Sequence, residues 1–361
     1  MSSFGRNLRV TVFGESHGEA IGATVEGLPG GIEIGGEVAL FLERRRARSL
    51  LDTPRREADE LLWVSGITSG RTNGGPVTAL VKNTNVRSQD YRHLKHSPRP
   101  GHGDYTRWIR QGDYAAFAGG GHGSGRVSVA LTALGGLVHG ALKKKGITAA
   151  THILELGGIW DRPLEGPGDS DLLLRGNFPV LDAGAREEIL ARLREVAQRG
   201  DSLGGTLETA VYGCPPGVGG DWFRGLEGRL SLGIFGIPGV KGISFGTEPP
   251  EEYLGSRVND PFILKEGEVA TATNYSGGIS GGSANGMPLT FRTRVKPTPS
   301  ISLPQRTVQL EKMEETTITI GGRHDPSILP RGAVVVTAVT ALVLADALME
   351  EYGRKYLVEE I

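Results

Sequence analysis

The sequence has few of the residues and segments that stabilise secreted and membrane proteins. It contains one cysteine in 361 residues, Cys214, which excludes an intramolecular disulfide and a multi-thiolate metal site. A single cysteine is typical of a reducing cytoplasm, so we expect a cytoplasmic protein. No basic segment followed by an apolar one opens the chain, so no secretory signal is predicted. The longest apolar run, residues 333–344, is too short to span a membrane and predicts a buried helix.

Aromatic residues and net charge are also scarce. Aromatics make up 6% of the chain, and the formal net charge is −1 at pH 7. No overall field therefore draws the protein to nucleic acid or to a membrane surface, and we expect neither as a partner. Any binding of anions must come from local clusters of basic side chains.

The composition nevertheless provides enough apolar material, 38% of the residues, for a sizeable core. Length alone predicts two or three domains, but neither a low-complexity linker nor an internal repeat divides the chain. Apolar and polar residues alternate in the predicted strands, as in residues 289–295, which favours antiparallel sheets with one covered face. We therefore predict one α+β domain over residues 1–361, with helices that include residues 32–50, 127–145, 183–199 and 332–352.

Glycine is abundant, at 56 residues, or roughly twice its average usage. Four loops are especially rich in it: residues 119–126, 236–242, 277–286 and 321–325. Successive backbone N–H groups in such loops can cradle a phosphate, although each loop taken singly is more typical of a turn. None has the P-loop pattern or a strand-linked G-x-G-x-x-G. Four of them beside Arg126, Lys296 and Arg323 favour a phosphorylated ligand.

Four histidines lie close to glycine, and two of them are in these loops. His17, His102, His122 and His324 each have a glycine within two positions, and an imidazole suits general acid chemistry near neutral pH. Neither H-E-x-x-H nor C-x-x-C occurs, so a metal site is not predicted. Asp325 could serve as a base or could be a turn residue. The residues by themselves predict a cytoplasmic α+β enzyme that binds a small, multiply anionic ligand.

Several motifs together resemble the chorismate synthase family. They are GESHG (14–18), RPGHGDYT (99–106), KPTPSI (296–301) and GRHDP (322–326), in the order of that family, and the resemblance extends from about residue 8 to about residue 350. It implies a β-α-β sandwich of antiparallel sheets and a homotetramer. It also implies the 1,4-elimination of phosphate from 5-enolpyruvylshikimate 3-phosphate, which gives chorismate and requires reduced FMN. No flavin-reductase domain is predicted, so the reduced flavin would come from an external source.

The resemblance also implies roles for individual residues. His17 would protonate the leaving phosphate, His102 would keep the reduced flavin protonated, and Asp325 would take the C6 proton together with flavin N5. The implied substrate-binding residues are Ser16, Arg45, Arg99, Arg126 and Arg323. The implied flavin-binding residues are His122, Gly123, Ser124, Pro238, Gly239, Gly281, Lys296, Pro297, Thr298, Pro299, Ser300 and Arg323.

The departures from the family pattern are concentrated in the flavin-binding segments. Where the family usually has G-G-G-R-S-S-A-R, residues 119–126 have His122 in place of arginine and Gly123 in place of serine. Pro238 and Gly239 replace the usual Asn-Ala, and the second arginine of the R-R-R-P-G loop has no clear counterpart. Two alternatives therefore stand beside a chorismate synthase: a related flavoenzyme with a changed substrate or flavin, and a non-catalytic binder of a phosphorylated metabolite.

Overall fold

The helices and strands are defined in a computed structural model that describes residues 2–46, 59–84, 96–116, 118–247, 254–321 and 325–358. The helices are α1 (Gly36–Arg45), α2 (Asp104–Gln111), α3 (Ser128–Lys144), α4 (Pro167–Arg175), α5 (Ala183–Gln198), α6 (Leu226–Phe235), α7 (Gly255–Val258) and α8 (Leu329–Tyr352). The strands are β1 (Ser3–Phe4), β2 (Arg9–Gly14), β3 (Ala20–Glu26), β4 (Gly30–Glu33), β5 (Leu61–Ser65), β6 (Ile67–Thr68), β7 (Arg71–Asn73), β8 (Val77–Lys82), β9 (Thr148–Leu156), β10 (Ile159–Trp160), β11 (Gly205–Tyr212), β12 (Val240–Phe245), β13 (Phe262–Lys265), β14 (Glu268–Thr271), β15 (Ile279–Ser280), β16 (Ser283–Ala284), β17 (Leu289–Val295), β18 (Gln305–Gln309) and β19 (Glu314–Ile318).

Two five-stranded sheets form the outer layers of the fold. Their strand orders are β1-β2-β3-β8-β5 and β10-β9-β11-β17-β12. Every strand pairing within them is antiparallel, which confirms the α+β prediction. In β17 the apolar residues are buried alternately, because successive side chains of a strand point to opposite faces.

Helices fill the space between the two sheets. Helix α3 packs on β3 and β8 of the first sheet, α8 packs on β9 and β11 of the second, and the two helices pack on each other. Helix α1 lies against α3, and α6 lies against α8. The predicted sandwich is confirmed, with two layers of helix between its sheets.

Helix α8 is apolar on all sides because neighbours surround it. By length and composition, α8 and residues 125–144 could each cross a membrane, but 94% and 83% of their apolar windows are buried inside the fold. This is the situation of a core helix, as predicted for the apolar run. The helix begins at Leu329 rather than at residue 332, because Pro330 is tolerated in a first turn.

The prediction of a helix from residue 32 was wrong at its start. Ile32 and Glu33 belong to β4, which pairs with β7, and the Ile32 N–H donates to Thr72 Oγ1 at 2.9 Å. Helix α1 therefore begins at Gly36. The end of the predicted helix, residues 47–50, lies outside the described residues. The sequence reasoning also missed α2 and the β13–β14 hairpin.

A buried carboxylate near the end of α8 holds the N-terminal segment. Asp346 Oδ1 accepts the backbone N–H groups of Asn7 at 2.7 Å and Leu8 at 2.8 Å, and the Arg6 N–H donates to the same carboxylate. A buried carboxylate requires such partners. Asp346 thereby fixes the start of the first sheet to the core helix.

Helices α3 and α8 approach closely at Gly135. A Cβ added there would lie 2.3 Å from Ala338 Cβ, whereas one added at Gly140 of the same helix would meet nothing nearer than Glu37 Cγ at 3.5 Å. We expect Gly135→Ala to lower the free energy of unfolding by about 1–3 kcal/mol through overpacking. Gly140→Ala should raise it by about 0.5–1 kcal/mol through helix propensity. Urea denaturation of both variants tests this, and equal effects would contradict the packing argument.

A buried histidine joins β9 to β11 and to the segment that follows β10. His152 Nδ1 lies 2.9 Å from Asp161 Oδ2, and Nε2 lies 3.1 Å from Glu208 Oε2. Burial alone would lower the pKa of His152, but the hydrogen bonds to Asp161 and Glu208 outweigh it and raise the pKa. Protonated His152 therefore stabilises the folded state.

This network makes stability depend on pH. Because the folded pKa of His152 is raised, its contribution is fully present below the unfolded pKa, about 6.5, and is lost as pH rises through the folded pKa. We expect the loss of unfolding free energy in His152→Gln to be larger at pH 6 than at pH 9. Urea titrations of both proteins at each pH measure this difference. A loss that does not change with pH would overturn the assignment of charge.

Candidate active site

A buried ion network holds His102 at the start of α2. Arg99 Nε donates to Asp104 Oδ2 at 2.7 Å, and Arg99 Nη2 donates to Asp104 Oδ1 at 2.8 Å. His102 Nδ1 lies 2.6 Å from Asp104 Oδ1. Asp104 is the first residue of α2, where the helix dipole favours a carboxylate. One carboxylate therefore positions both a guanidinium and an imidazole.

The network determines the protonation of His102. Burial alone would raise the pKa of Asp104, but the hydrogen bonds from Arg99 and His102 outweigh it and lower that pKa. Burial, with Arg99 and Arg107, lowers the pKa of His102 against the opposing effect of Asp104. His102 is therefore neutral near pH 7, with Nδ1 donating to Asp104 and Nε2 left as an acceptor. That Nε2 faces the glycine loop, where a Cβ added at Gly120 would lie 3.6 Å from it.

The same glycine loop lies against the turn that follows β2. Gly119 has φ +68°, and a Cβ there would lie 2.6 Å from His17 Cδ2 and 2.8 Å from Ser16 Oγ. The Ser16 N–H donates to the Gly121 carbonyl at 3.2 Å. Only glycine allows this approach. The loop therefore brings His17 and His102, which are far apart in sequence, to the same site.

His122, the residue that departs from the family pattern, anchors this loop. Its Nδ1 donates to the Gly14 carbonyl at 2.9 Å, and its Nε2 lies 2.7 Å from Ser2 Oγ. Both ring nitrogens are thus bonded within the chain. A ligand contact through either nitrogen would require one of these bonds to break.

Arg45, at the end of α1, reaches the other end of the loop. Its Nη2 donates to the Gly125 carbonyl at 2.7 Å, and its Nε donates to Ser128 Oγ at 3.2 Å. Burial lowers the pKa of Arg45 to about 9, helped by the charges of Arg331 and Arg126 and opposed by two carboxylates. Cations are therefore crowded here, and an anion would relieve their repulsion.

The other members of this guanidinium cluster have carboxylate partners. Arg126 pairs with Asp59 and also donates through Nε to Asn83 Oδ1 at 3.2 Å. Arg331, in the first turn of α8, pairs with Asp325. The predicted base Asp325 is thus beside the predicted anion-binding residues. Arg323 lies outside the described residues.

The segment after β17 reaches the Arg99 network from the opposite side. Lys296 Nζ donates to the Gly101 carbonyl, and Arg99 Nη1 lies 3.5 Å from Ser300 Oγ. The Lys296 N–H donates to the Gly239 carbonyl at 2.9 Å, which places Pro238 and Gly239 next to this segment. Gly281 differs, because the hydrogen bonds of its turn are with residues 220 and 226 rather than with these loops.

The residues present fit a flavin mononucleotide. In the described parts of the chain, the buried polar atoms without a hydrogen-bond partner include Ser16 Oγ, Thr298 Oγ1 and Arg107 Nη1. A polar, phosphorylated ligand would supply such partners. Within the loop, no described atom lies within 4 Å of a Cβ added at Gly125, so there is open space at that position, and Lys296 adds a cation. Among the described residues, no cluster of His, Cys, Asp or Glu could hold a metal ion.

Several residues of the site were not predicted. Asp104 stands inside the motif RPGHGDYT, which was the available signal for it, whereas Arg331 lies five residues beyond GRHDP. Asp59 and Asn83, which contact Arg126, lie just before β5 and just after β8 of the first sheet, and both are distant from Arg126 in sequence. Arg107 also gave no signal by itself, because an arginine on a short helix is usually solvated.

The fold and the site together define a class of enzyme that places imidazole and carboxylate groups beside a cluster of guanidinium groups. The sequence model of the family described as chorismate synthase matches residues 8–349. A chorismate synthase from Thermococcus kodakarensis is 41% identical over 96% of this chain and 97% of that protein. One from Methanothermobacter thermautotrophicus is 42% identical over 96% of this chain and 93% of its own length.

A solved structure supports the same family assignment. The crystal structure of a chorismate synthase superposes with a TM-score of 0.73 at 25% identity and covers 97% of this chain and 94% of its own. The chain belongs to the chorismate synthase family, the lyases that make chorismate in the shikimate pathway, and this family uses reduced flavin.

Asp104 can be tested apart from turnover. In Asp104→Asn, the Arg99 guanidinium, whose side chain is 1% exposed, loses its charged partner. We expect the free energy of unfolding to fall by about 3–5 kcal/mol, as for other broken buried ion pairs. Denaturant titration measures the loss, with Asp171→Asn on the exposed side of α4 as control. Equal stability of the two variants would contradict a buried network at this position.

Proposed function

We propose that this chain catalyses the reduced-FMN-dependent 1,4-elimination of phosphate from 5-enolpyruvylshikimate 3-phosphate, which gives chorismate and phosphate. One observation carries the proposal. The loop 119–126 lies against both His17 and His102 and ends in the guanidinium cluster that surrounds Asp325. Proton-transfer groups and anion-binding groups thus converge at a single loop.

The substrate carries two carboxylates and one phosphate, and the site offers matching charge. The substrate-binding arginines that we propose are Arg45 and Arg126, together with Arg99 and Arg323. Guanidinium groups suit these anions because they can donate two parallel hydrogen bonds. Helices α3 and α8 begin beside the cluster, so their positive dipole ends add to the attraction. Ser16 Oγ is buried and has no hydrogen-bond partner in the part of the chain that the structure describes, so it adds a hydroxyl to the proposed substrate contacts.

The chain's own groups divide the proton transfers. His17 protonates the leaving phosphate, and Asp325 accepts the C6 proton with Arg331 holding its carboxylate in place. Neutral His102, through Nε2, accepts a hydrogen bond from a protonated ring nitrogen and so favours the protonated flavin. Reduced FMN supplies the transient electron donation that helps phosphate to leave.

When bound, reduced FMN would be held by the glycine loop and by the segment after β17. The residues proposed to hold it are His122, Gly123, Ser124, Pro238, Gly239, Gly281, Lys296, Pro297, Thr298, Pro299, Ser300 and Arg323. The hydrogen bonds that join Lys296 to residues 101 and 239 support this placement for most of them. For His122 the contact is through its backbone, since its ring is bonded elsewhere.

The remaining features follow from membership of the family. We propose a single domain, which is supported by a hydrophobic core that includes residues from both sheets and from α3 and α8. We further propose a homotetramer in the cytoplasm that receives reduced flavin from an external source. Light scattering tests the assembly.

The proposed activity is tested by anaerobic turnover. Protein, FMN, a chemical reductant and 5-enolpyruvylshikimate 3-phosphate should give equal amounts of phosphate and chorismate. We expect His17→Ala, His102→Ala and Asp325→Ala each to lower kcat by about 10²–10⁴-fold, as expected for lost proton transfer. Arg194→Met, on the exposed side of α5, should leave turnover unchanged.

The alternatives give different results in the same assay. Flavin binding without chorismate would indicate a related flavoenzyme with another substrate. No flavin binding at any concentration of substrate would indicate a non-catalytic binder. Either result from folded protein would overturn the proposed function.

A further inference from the structure

One cation beside the glycine loop is not used by the roles assigned above. Arg107, in α2, extends its guanidinium across the loop at Gly123. A Cβ added at Gly123 would lie 2.4 Å from Arg107 Nη2, and one added at Gly103 would lie 3.3 Å from it. The absence of a side chain at Gly123 therefore makes the space that this guanidinium occupies.

Among the described residues, nothing fully satisfies the guanidinium of Arg107. Its Nη1 is buried and has no hydrogen-bond partner among them, and none of their carboxylates pairs with it. The carboxylate with the largest effect on its pKa, Asp104, already accepts hydrogen bonds from Arg99 and His102. A buried donor without a partner is costly, and for a charged group the cost is greater.

The surrounding charges agree with a missing anion. Burial lowers the pKa of Arg107, and Arg99 adds to this effect, while Asp104 and Glu15 oppose it. His122 does not provide the missing hydrogen-bond partner of Arg107, because its two ring nitrogens are bonded to Gly14 and Ser2. Arg107 is thus the cation that this middle part of the loop presents to a ligand.

We propose that Arg107 binds the phosphate of FMN against the loop at Gly123 and Ser124. This inference rests on the proposed function, because it assumes that the loop holds FMN. The substrate anions have the separate cluster of Arg45, Arg126 and Arg331 at the other end of the loop. A phosphate dianion here satisfies Arg107 Nη1 and can also accept a hydrogen bond from the Ser124 hydroxyl.

Binding of two flavins distinguishes a phosphate contact from a structural role. Reduced FMN and reduced riboflavin, which lacks the phosphate, are titrated anaerobically into the protein with saturating substrate. Arg107→Met should lower the affinity for FMN about 10- to 100-fold, which corresponds to the loss of one charged hydrogen bond. Riboflavin affinity and the KM for substrate should stay unchanged. Arg194→Met, an exposed arginine of α5, should bind both flavins as the unmodified protein does.

Gly123→Ala provides a second variant that keeps the arginine. Its Cβ displaces the Arg107 guanidinium, so the affinity for FMN should fall while the affinity for riboflavin should not. In the double variant with Arg107→Met, Gly123→Ala should lower the FMN affinity little further, because the two changes act through one contact.

The outcomes separate the two proposals. The role of Arg107 would be overturned if the variant bound FMN and riboflavin with equally reduced affinity, or if its FMN affinity were unchanged, with or without a raised KM for substrate. Each of these results would leave the proposed function in place. Failure of the unmodified protein to bind either flavin would instead overturn the proposed function.

Discussion

The contact between α3 and α8 is the constraint on which the site depends. Gly135 lets the two helices meet without an intervening side chain, and each helix covers its own sheet. The loop that ends in Arg126 precedes α3, and Asp325 precedes α8. The packing of the core therefore brings these two groups together although about 200 residues separate them. The relative position of Arg126 and Asp325 is thus a consequence of helix packing rather than of local loop structure.

Two histidines show how neighbours decide the charge of a buried imidazole. His152 lies between two carboxylates, which outweigh burial and favour the protonated ring. His102 also contacts a carboxylate, but burial, followed by the positive charge of Arg99, which shares that carboxylate, lowers the pKa of His102 and favours the neutral ring. The first arrangement stabilises the fold, and the second leaves a hydrogen-bond acceptor directed at a ligand site. Sequence motifs alone do not distinguish the two arrangements.

The sequence predicted the parts of the fold that have a clear period or a continuous motif. Alternation in β17 and the apolar run of α8 indicated a covered sheet and a buried helix, and both are present. The start of α1 was missed because Ile32 takes part in β4, a pairing with residues about 40 positions away. Helix α2 was missed because its polar residues have no long apolar stripe and its stability comes from the Arg99–Asp104 contact.

The candidate site was predictable in outline for the same reason. The motifs that contain His17, His102 and Asp325 are continuous in sequence, so their members could be named without coordinates. Arg331 joins the guanidinium cluster through a local pair with Asp325, whereas Asp59 reaches Arg126 across 67 residues of sequence. Arg107 is distinguished by its position over Gly123, which no sequence motif indicates. A glycine at one position can thus be important because it leaves space for a side chain from another part of the chain.

The anchoring of the N-terminal segment links the far end of the core helix to the ligand loop. Asp346 holds the backbone of Asn7 and Leu8, the Val12 N–H donates to the Ser2 carbonyl, and Ser2 in turn bonds His122. The second residue of the chain is therefore part of the support of the active site. For expression and purification, Ser2 should therefore be retained, because its removal would take away a hydrogen-bond partner of His122 in this loop.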